Sequence, residues 1–286
     1  MEAATYVECP RDAWQALGRL IPTTVKRDHL RSLLAAGFRH LDLGSFVSPR
    51  AVPQLADGEE VLSALERPED ADFSCIIVNL RGLERAMAVP QVTSVGYPLA
   101  VNETFQRRNS NLSLAASWQL VAELFARALD AGLGFVVYLS MGFGNPYGDP
   151  WTPADTAQML EHLLALGIGR VALADTVGRA SAEVVDEVLA AAAQVTDPAS
   201  LGLHLHARPD GWRELLKVGL AYGVTWFEGA LAGVGGCPFA EDHLVGNLPT
   251  EEVLPWLEAQ GFSSGVDLSQ LPRLASASAL LAMRFA

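Results

Sequence analysis

One feature of this chain limits its fold more than any other. Short β-rich apolar runs alternate with longer segments of helical period from one end to the other. The expected strands are 5–9, 40–43, 73–78, 94–99, 135–140, 170–174, 201–206 and 225–229. Helical segments fall between them at 25–36, 58–65, 81–89, 115–131, 152–166, 182–194 and 211–222. Thr152 before Pro153, and Ser181 before Ala182, read as helix starts; Gly37, Gly132 and Gly223 read as left-handed helix terminators. Strand–helix alternation implies right-handed crossovers and a parallel sheet. Eight strands in 286 residues favour closure. The expected fold class is therefore α/β, a (β/α)8 TIM barrel over about 5–231, followed by a Gly/Pro-rich loop and C-terminal helices near 250–259 and 268–283. The whole chain, 1–286, is expected to be one domain.

Composition narrows the classes of function. Half the residues are hydrophobic, enough for a large core. Thirty-three acidic residues against 20 Lys and Arg leave a net charge of −13, which excludes nucleic acid as the main partner. An anionic substrate then needs a local basic patch, because the global field repels it. There is no apolar run of about 18 residues to cross a membrane and no secretory leader pattern at the N-terminus. Cys9, Cys75 and Cys237 are too few and too scattered for a disulfide framework. A cytoplasmic location is expected.

In an α/β barrel the site is built at the C-terminal ends of the strands. Arg11 and Asp12 follow the first expected strand, and Asp42 lies in the second. Ser140 closes the fifth, Asp175 follows the sixth, and His204 and His206 end the seventh. Residues two apart on a strand share a face and lie roughly 7 Å apart at Cα. His204 and His206 therefore point the same way, either to chelate one cation or as a hydrogen-bonded structural pair; Asp12 on the opposite wall favours the cation. Asn247 reads as a turn or capping residue before the next helix, or as a neutral oxygen ligand. Cys237, among glycines just past the last strand, sits where a loop can cover a site, whereas Cys9 and Cys75 are expected in the core. Asp42 and Asp175, carboxylates in apolar strands, need partners, with Arg11 the nearest candidate. Arg107 and Arg108 suit an anionic group or an ordinary solvated loop.

Several ordered stretches carry a resemblance. They are Glu8-Cys9-Pro10-Arg11-Asp12 with Gln15; Gly44-Ser45-Phe46-Val47-Ser48-Pro49 with Pro53-Gln54; Asp175-Thr176-Val177-Gly178; Leu203-His204-Leu205-His206; and Gly235-Gly236-Cys237-Pro238 with Gly246-Asn247. Together, from Val7 to about Ala259, they resemble the 3-hydroxy-3-methylglutaryl-CoA lyases of the DRE-TIM metallolyase superfamily, in a divergent bacterial-type branch. The resemblance implies a divalent cation, Mg²⁺ or Mn²⁺, held by Asp12, His204, His206 and Asn247. It implies catalytic roles for Arg11, Asp42, Asp175, Cys237 and Glu251, and substrate contacts from Arg11, Gln15, Ser140 and Arg108. The implied reaction is retro-Claisen cleavage of an acyl-CoA, with Asp12 or another acid through water as base. A place in leucine breakdown and a homodimer are implied on the same ground. Ala13-Trp14, Ala207 and the stretch 141–151 depart from the family pattern and bear on substrate shape. Rival readings are a lyase or aldolase for another 3-hydroxy-acyl-CoA, a metal-dependent hydrolase, and a non-catalytic acyl-CoA-binding barrel.

Overall fold

A computed structural model describes residues 1–236 and 245–286. The eight expected strands all form: β1 Thr5–Glu8, β2 His40–Ser45, β3 Asp72–Ile76, β4 Ser94–Ala100, β5 Gly134–Ser140, β6 Val171–Asp175, β7 Gly202–Ala207 and β8 Trp226–Gly229. Each pairs in parallel with the next, and β8 pairs with both β7 and β1, so the sheet closes. Closure is explicit at Trp226, which is in register with both Thr5 and Gly202.

The helices are α1 Pro10–Gln15, α2 Thr23–Ala35, α3 Gly58–Ser63, α4 Leu80–Met87, α5 Glu103–Ser110, α6 Leu114–Asp130, α7 Pro153–Ala165, α8 Ala182–Ala192, α9 Trp212–Ala221, α10 Thr250–Ala259 and α11 Leu271–Phe285. Helix α7 starts in a reciprocal Thr152/Asp155 capping box with Pro153 in its first turn, and the Ser181 hydroxyl accepts from Val184 N–H to cap α8. Gly37, Gly132 and Gly223 take positive φ after their helices, as expected.

The structure also departs from the expectations. Helices α1 and α5 have no counterpart among the expected segments: α1 is a six-residue turn behind Pro10, and α5 is polar, burying Phe105 and Gln106. Neither has enough apolar periodicity to be read from sequence. The last expected helix divides into a 3₁₀ turn at Leu268–Gln270 and α11, which has Pro272 in its first turn. Two short pairings are additional. Glu2–Ala3 runs parallel to Phe262–Ser263, and Gly246–Asn247 runs antiparallel to His206–Ala207.

Strand alternation separates two environments. Leu203, Leu205 and Phe227 face outward, fully buried beneath the helices. Inside, Ile76, Val136, Tyr138 and Ala172 form an apolar layer with Trp226 packed on it. Below that layer Asp72 accepts from Thr93 and Ser94 hydroxyls and from the Arg170 guanidinium. Above it, the interior becomes polar. Among the described residues, no helix is long and apolar enough to cross a membrane.

Candidate active site

Pro10 opens α1 directly after β1, turning Arg11 and Asp12 back over the barrel mouth. Arg11 donates from Nε (2.9 Å) and Nη2 (2.5 Å) to Asp42 Oδ2, and from Nη1 to Asp12 Oδ1 (3.0 Å) and Gln15 Oε1 (3.2 Å). Gln15 Nε2 donates in turn to Asp12 Oδ1 at 2.6 Å. Arg11 is thus the expected partner of Asp42. A guanidinium carries five N–H groups; four are committed here, and one on Nη2 is left.

The two histidines project inward from β7, and Asp12 faces them. Asp12, His204 and His206 each offer an atom to a common point, these atoms lying within 4.8 Å of one another. Asn247 joins them. Its Nδ2 donates to Asp12 Oδ2 (2.7 Å) and to the Val234 carbonyl (2.9 Å). Both amide hydrogens are then used, which fixes the amide's orientation and leaves the carbonyl oxygen. That Oδ1 is buried and has no partner among the described residues, as do His206 Nδ1 and Asp42 Oδ1. Asn247 does not cap α10, whose N-cap is Pro249, so the capping alternative is set aside.

The electrostatics suit a cation. Burial opposes the Asp12 charge, but Arg11 and the two imidazoles outweigh it and hold the carboxyl at about 2. Burial, reinforced by the charge of its neighbour His204, lowers His206 to about 4, so its ring keeps a lone pair at neutral pH. Burial pushes Asp42 up, with Arg11 opposing. Glu228 raises His204 against the burial that opposes its charge, and Asp12, Asp42 and Glu228 still outnumber Arg11 and that one imidazole, which leaves a deficit of positive charge in a buried space. A divalent cation removes that deficit, and mixed N/O donors suit Mg²⁺, Mn²⁺ or a borderline metal better than a structural zinc. The residues present fit the expected group.

Not every candidate joins the cluster. Asp175 meets no cation among the described residues; it accepts from the N–H groups of Arg179 (2.9 Å) and Ala180 (2.8 Å), closing the turn after β6. Burial nevertheless raises it to about 6. Glu251 Oε2 accepts from Ala232 N–H at 2.8 Å and anchors the segment after β8. Ser140 is buried at the end of β5, with a long 3.5 Å contact to the Tyr138 carbonyl. Arg108 is exposed on α5, its guanidinium 4.4 Å from the centre of the Tyr147 ring. Cys237 lies outside the described residues. Trp14 turns away from the mouth and packs edge-on against His29, so it does not shape the mouth directly.

Residues that sequence reading passed over complete the site from below. Glu228 is 1% exposed and in register with His204, and its Oε2 lies 2.9 Å from His204 Nδ1. Its signal was visible: Trp226 and Glu228 alternate along β8 as the histidines do along β7. Cys9 is buried as expected, but it belongs to the site's floor, its Sγ 3.9 Å from Glu228 Oε2. Glu8 binds the Thr250 hydroxyl (2.5 Å) and Leu231 N–H (2.9 Å), fastening both ends of the segment between β8 and α10.

Comparison with known proteins gives a consistent set of relatives. Residues 7–277 match the HMGL-like family model. The mitochondrial hydroxymethylglutaryl-CoA lyase of Macaca fascicularis is 33% identical over 267 residues, spanning 92% of this chain and 80% of that protein. The HMG-CoA lyase of Brucella melitensis superposes with a TM-score of 0.93 at 31% identity, covering 99% of this chain and 100% of that one. An HMG-CoA lyase from Acinetobacter baumannii, solved in complex with coenzyme A and 3-methylmalate, superposes with a TM-score of 0.90 at 30% identity over 98% and 92% of the two chains.

Proposed function

The chain belongs to the HMGL-like family, and from that premise we propose that it cleaves 3-hydroxy-3-methylglutaryl-CoA to acetoacetate and acetyl-CoA. The observation that carries the reading is the convergence of Asp12, His204 and His206 on one point, with the carbonyl oxygen of Asn247 left over beside them.

These four residues would hold a divalent cation, Mg²⁺ or Mn²⁺, which when bound supplies electrophilic polarisation of substrate oxygens. The protein's own groups do the rest. Cleavage begins when the C3 hydroxyl loses its proton; the C2–C3 bond then breaks, C3 becomes a ketone, and its electron pair passes to C2 as a thioester enolate. Asp12, held at about 2, is a weak base suited to remain a ligand. Asp42 is better matched to accept the proton, because its pKa is raised and its Oδ1 has no partner among the described residues. The uncommitted Nη2 hydrogen of Arg11 stabilises the enolate oxygen as its charge develops. Gln15 and Asp42 hold that guanidinium in place, and C2 then takes up a proton, for which we assign the Cys237 thiol, next to Gly235 and Gly236 in sequence. Asp175 and Glu251 support the loops at the mouth. Arg108 at the rim receives an anionic part of the acyl-CoA, and Ser140 meets the acyl portion. A homodimer, a cytoplasmic location and a role in leucine breakdown complete the proposal, on the family resemblance.

The test is direct. Metal-stripped protein is given 3-hydroxy-3-methylglutaryl-CoA with and without Mg²⁺ or Mn²⁺, and both products are assayed, alongside Asp12→Asn. Products that need metal, and are lost in the variant, support the reading. Metal bound without products moves the substrate to another 3-hydroxy-acyl-CoA, and full activity in the chelated protein overturns the metal assignment.

A further inference from the structure

Glu228 is a carboxylate with no Lys or Arg partner among the described residues, buried at the centre of the barrel. Such a group is costly unless its oxygens are met by donors, and here they are. Trp226 Nε1–H donates to Oε1 at 3.2 Å, from the same inward face of β8. The His204 Nδ1 lies 2.9 Å from Oε2, and the Cys9 thiol lies 3.9 Å from the same oxygen. That thiol has one hydrogen and lies nearer the Val7 carbonyl, at 3.6 Å, so the firm contacts of Glu228 are those with Trp226 and His204.

The Trp226 donor is itself held. Its ring occupies the space over Gly202, where a Cβ would come within 2.5 Å of it, and the Arg170 guanidinium stands 5.7 Å from its ring centre. Glu228 is therefore fixed by the barrel and not by the site above it. With a carboxylate at Oε2, the His204 proton belongs on Nδ1. The other nitrogen, Nε2, then carries the lone pair toward Asp12 and His206. Edge contacts to Tyr138 and His206, at centroid distances of 5.8 and 5.1 Å, limit rotation of the ring. Among the described residues His206 has no such carboxylate, so the two imidazoles of the His-x-His pair are not equivalent.

We propose that Glu228, held by Trp226, is a positioning residue that fixes the tautomer and orientation of His204 and raises its strength as a metal ligand. This rests on the reading of Asp12, His204, His206 and Asn247 as a metal centre. Carboxylates behind ligating histidines commonly change metal affinity by about 10–100-fold.

The experiment compares Glu228→Gln, Glu228→Ala and His204→Ala with the parent protein. Mn²⁺ affinity is read by electron paramagnetic resonance of the free ion, and histidine ring tautomers by long-range ¹H–¹⁵N spectra of the metal-free protein in mildly alkaline buffer. The parent shows His204 protonated at Nδ1. Glu228→Ala weakens Mn²⁺ binding by about 10–100-fold and moves the His204 proton toward Nε2. Glu228→Gln keeps the cavity filled and an oxygen acceptor in place; it preserves the tautomer and still weakens Mn²⁺ binding, by a smaller factor. Should Glu228→Ala fail to fold, the isosteric Glu228→Gln carries the test. Parent-like Mn²⁺ affinity in a folded Glu228 variant overturns the proposal, provided His204→Ala has lost the metal. Parent-like affinity in His204→Ala overturns the metal-centre reading itself.

Discussion

At the scale of single residues, the barrel mouth is made of buried charges that are each answered by a specific donor. Arg11 answers Asp42 and Asp12, Trp226 and His204 answer Glu228, and the amide of Asn247 answers Asp12. Glu8 has no cation among the described residues and relies on the Thr250 hydroxyl and Leu231 N–H; burial raises its pKa to about 8. The pH consequence follows from the direction of that shift. An acid with a raised folded-state pKa binds more protons folded than unfolded, so stability declines as pH rises from the unfolded value toward the folded one. Between pH ~5 and ~7, Glu8 removes up to about 2–3 kcal/mol. Glu8→Gln is expected to lose that component, so urea melts of variant and parent at the two pH values diverge on the alkaline side. Parallel pH profiles for the two proteins would refute the assignment.

Among the elements, the segment after β8 matters most to the site. Gly235 runs at φ +100, and a Cβ there would lie 2.7 Å from Asn247 Nδ2 and 2.9 Å from both the Asp12 carbonyl and Ala13 Cα. The glycine lets this backbone pass against the Asn247 side chain and the Asp12–Ala13 backbone. Gly235→Ala therefore combines left-handed strain of about 1–2 kcal/mol with displacement of a ligand. The expected result is a loss of turnover and of Mn²⁺ affinity of at least about tenfold, with circular dichroism unchanged because no barrel strand is touched. Unaltered turnover would show that the segment yields without moving Asn247. The Ala232 N–H bond to Glu251 and the Leu231 N–H bond to Glu8 secure the same segment from the other side.

For the whole molecule, the barrel interior is layered: Asp72 and Arg170 at the bottom, the Trp226–Tyr138 layer above, and the polar mouth on top. The apolar layer sets the height at which Glu228 stands. Gly202→Ala inserts a Cβ 2.5 Å from the Trp226 ring, between strands that cannot separate without opening the barrel. Overpacking of this kind costs about 1–3 kcal/mol. Thermal unfolding should show a Tm lowered by several degrees, together with weaker metal binding as Trp226 presses on Glu228. A Tm equal to the parent's would mean that the layer repacks freely.

Much of this was legible along the chain. Strand–helix alternation determined eight parallel strands, because period 2 and period 3.6 are local properties that survive without tertiary context. The His204–His206 spacing determined that both rings share a face, and Arg11 and Asp12 stood directly after the first expected strand. Other properties belong to strand pairing. Bringing β8 against β7 places Glu228 behind His204, closing β8 on β1 places Cys9 behind Glu228, and pairing β1 with β2 carries Arg11 across to Asp42, contacts between residues 24 to 219 positions apart. Asn247 had two local readings with the same turn chemistry; in the fold it pairs beside His206, and the helix after it is capped at Pro249. Asp175 and Arg108 each allowed both a ligand-binding and a structural reading in sequence. The folded chain gave the first to backbone N–H groups and laid the second on an aromatic ring. Local sequence sets which face a side chain takes; what it meets there depends on elements distant in the chain, and that is set by tertiary packing.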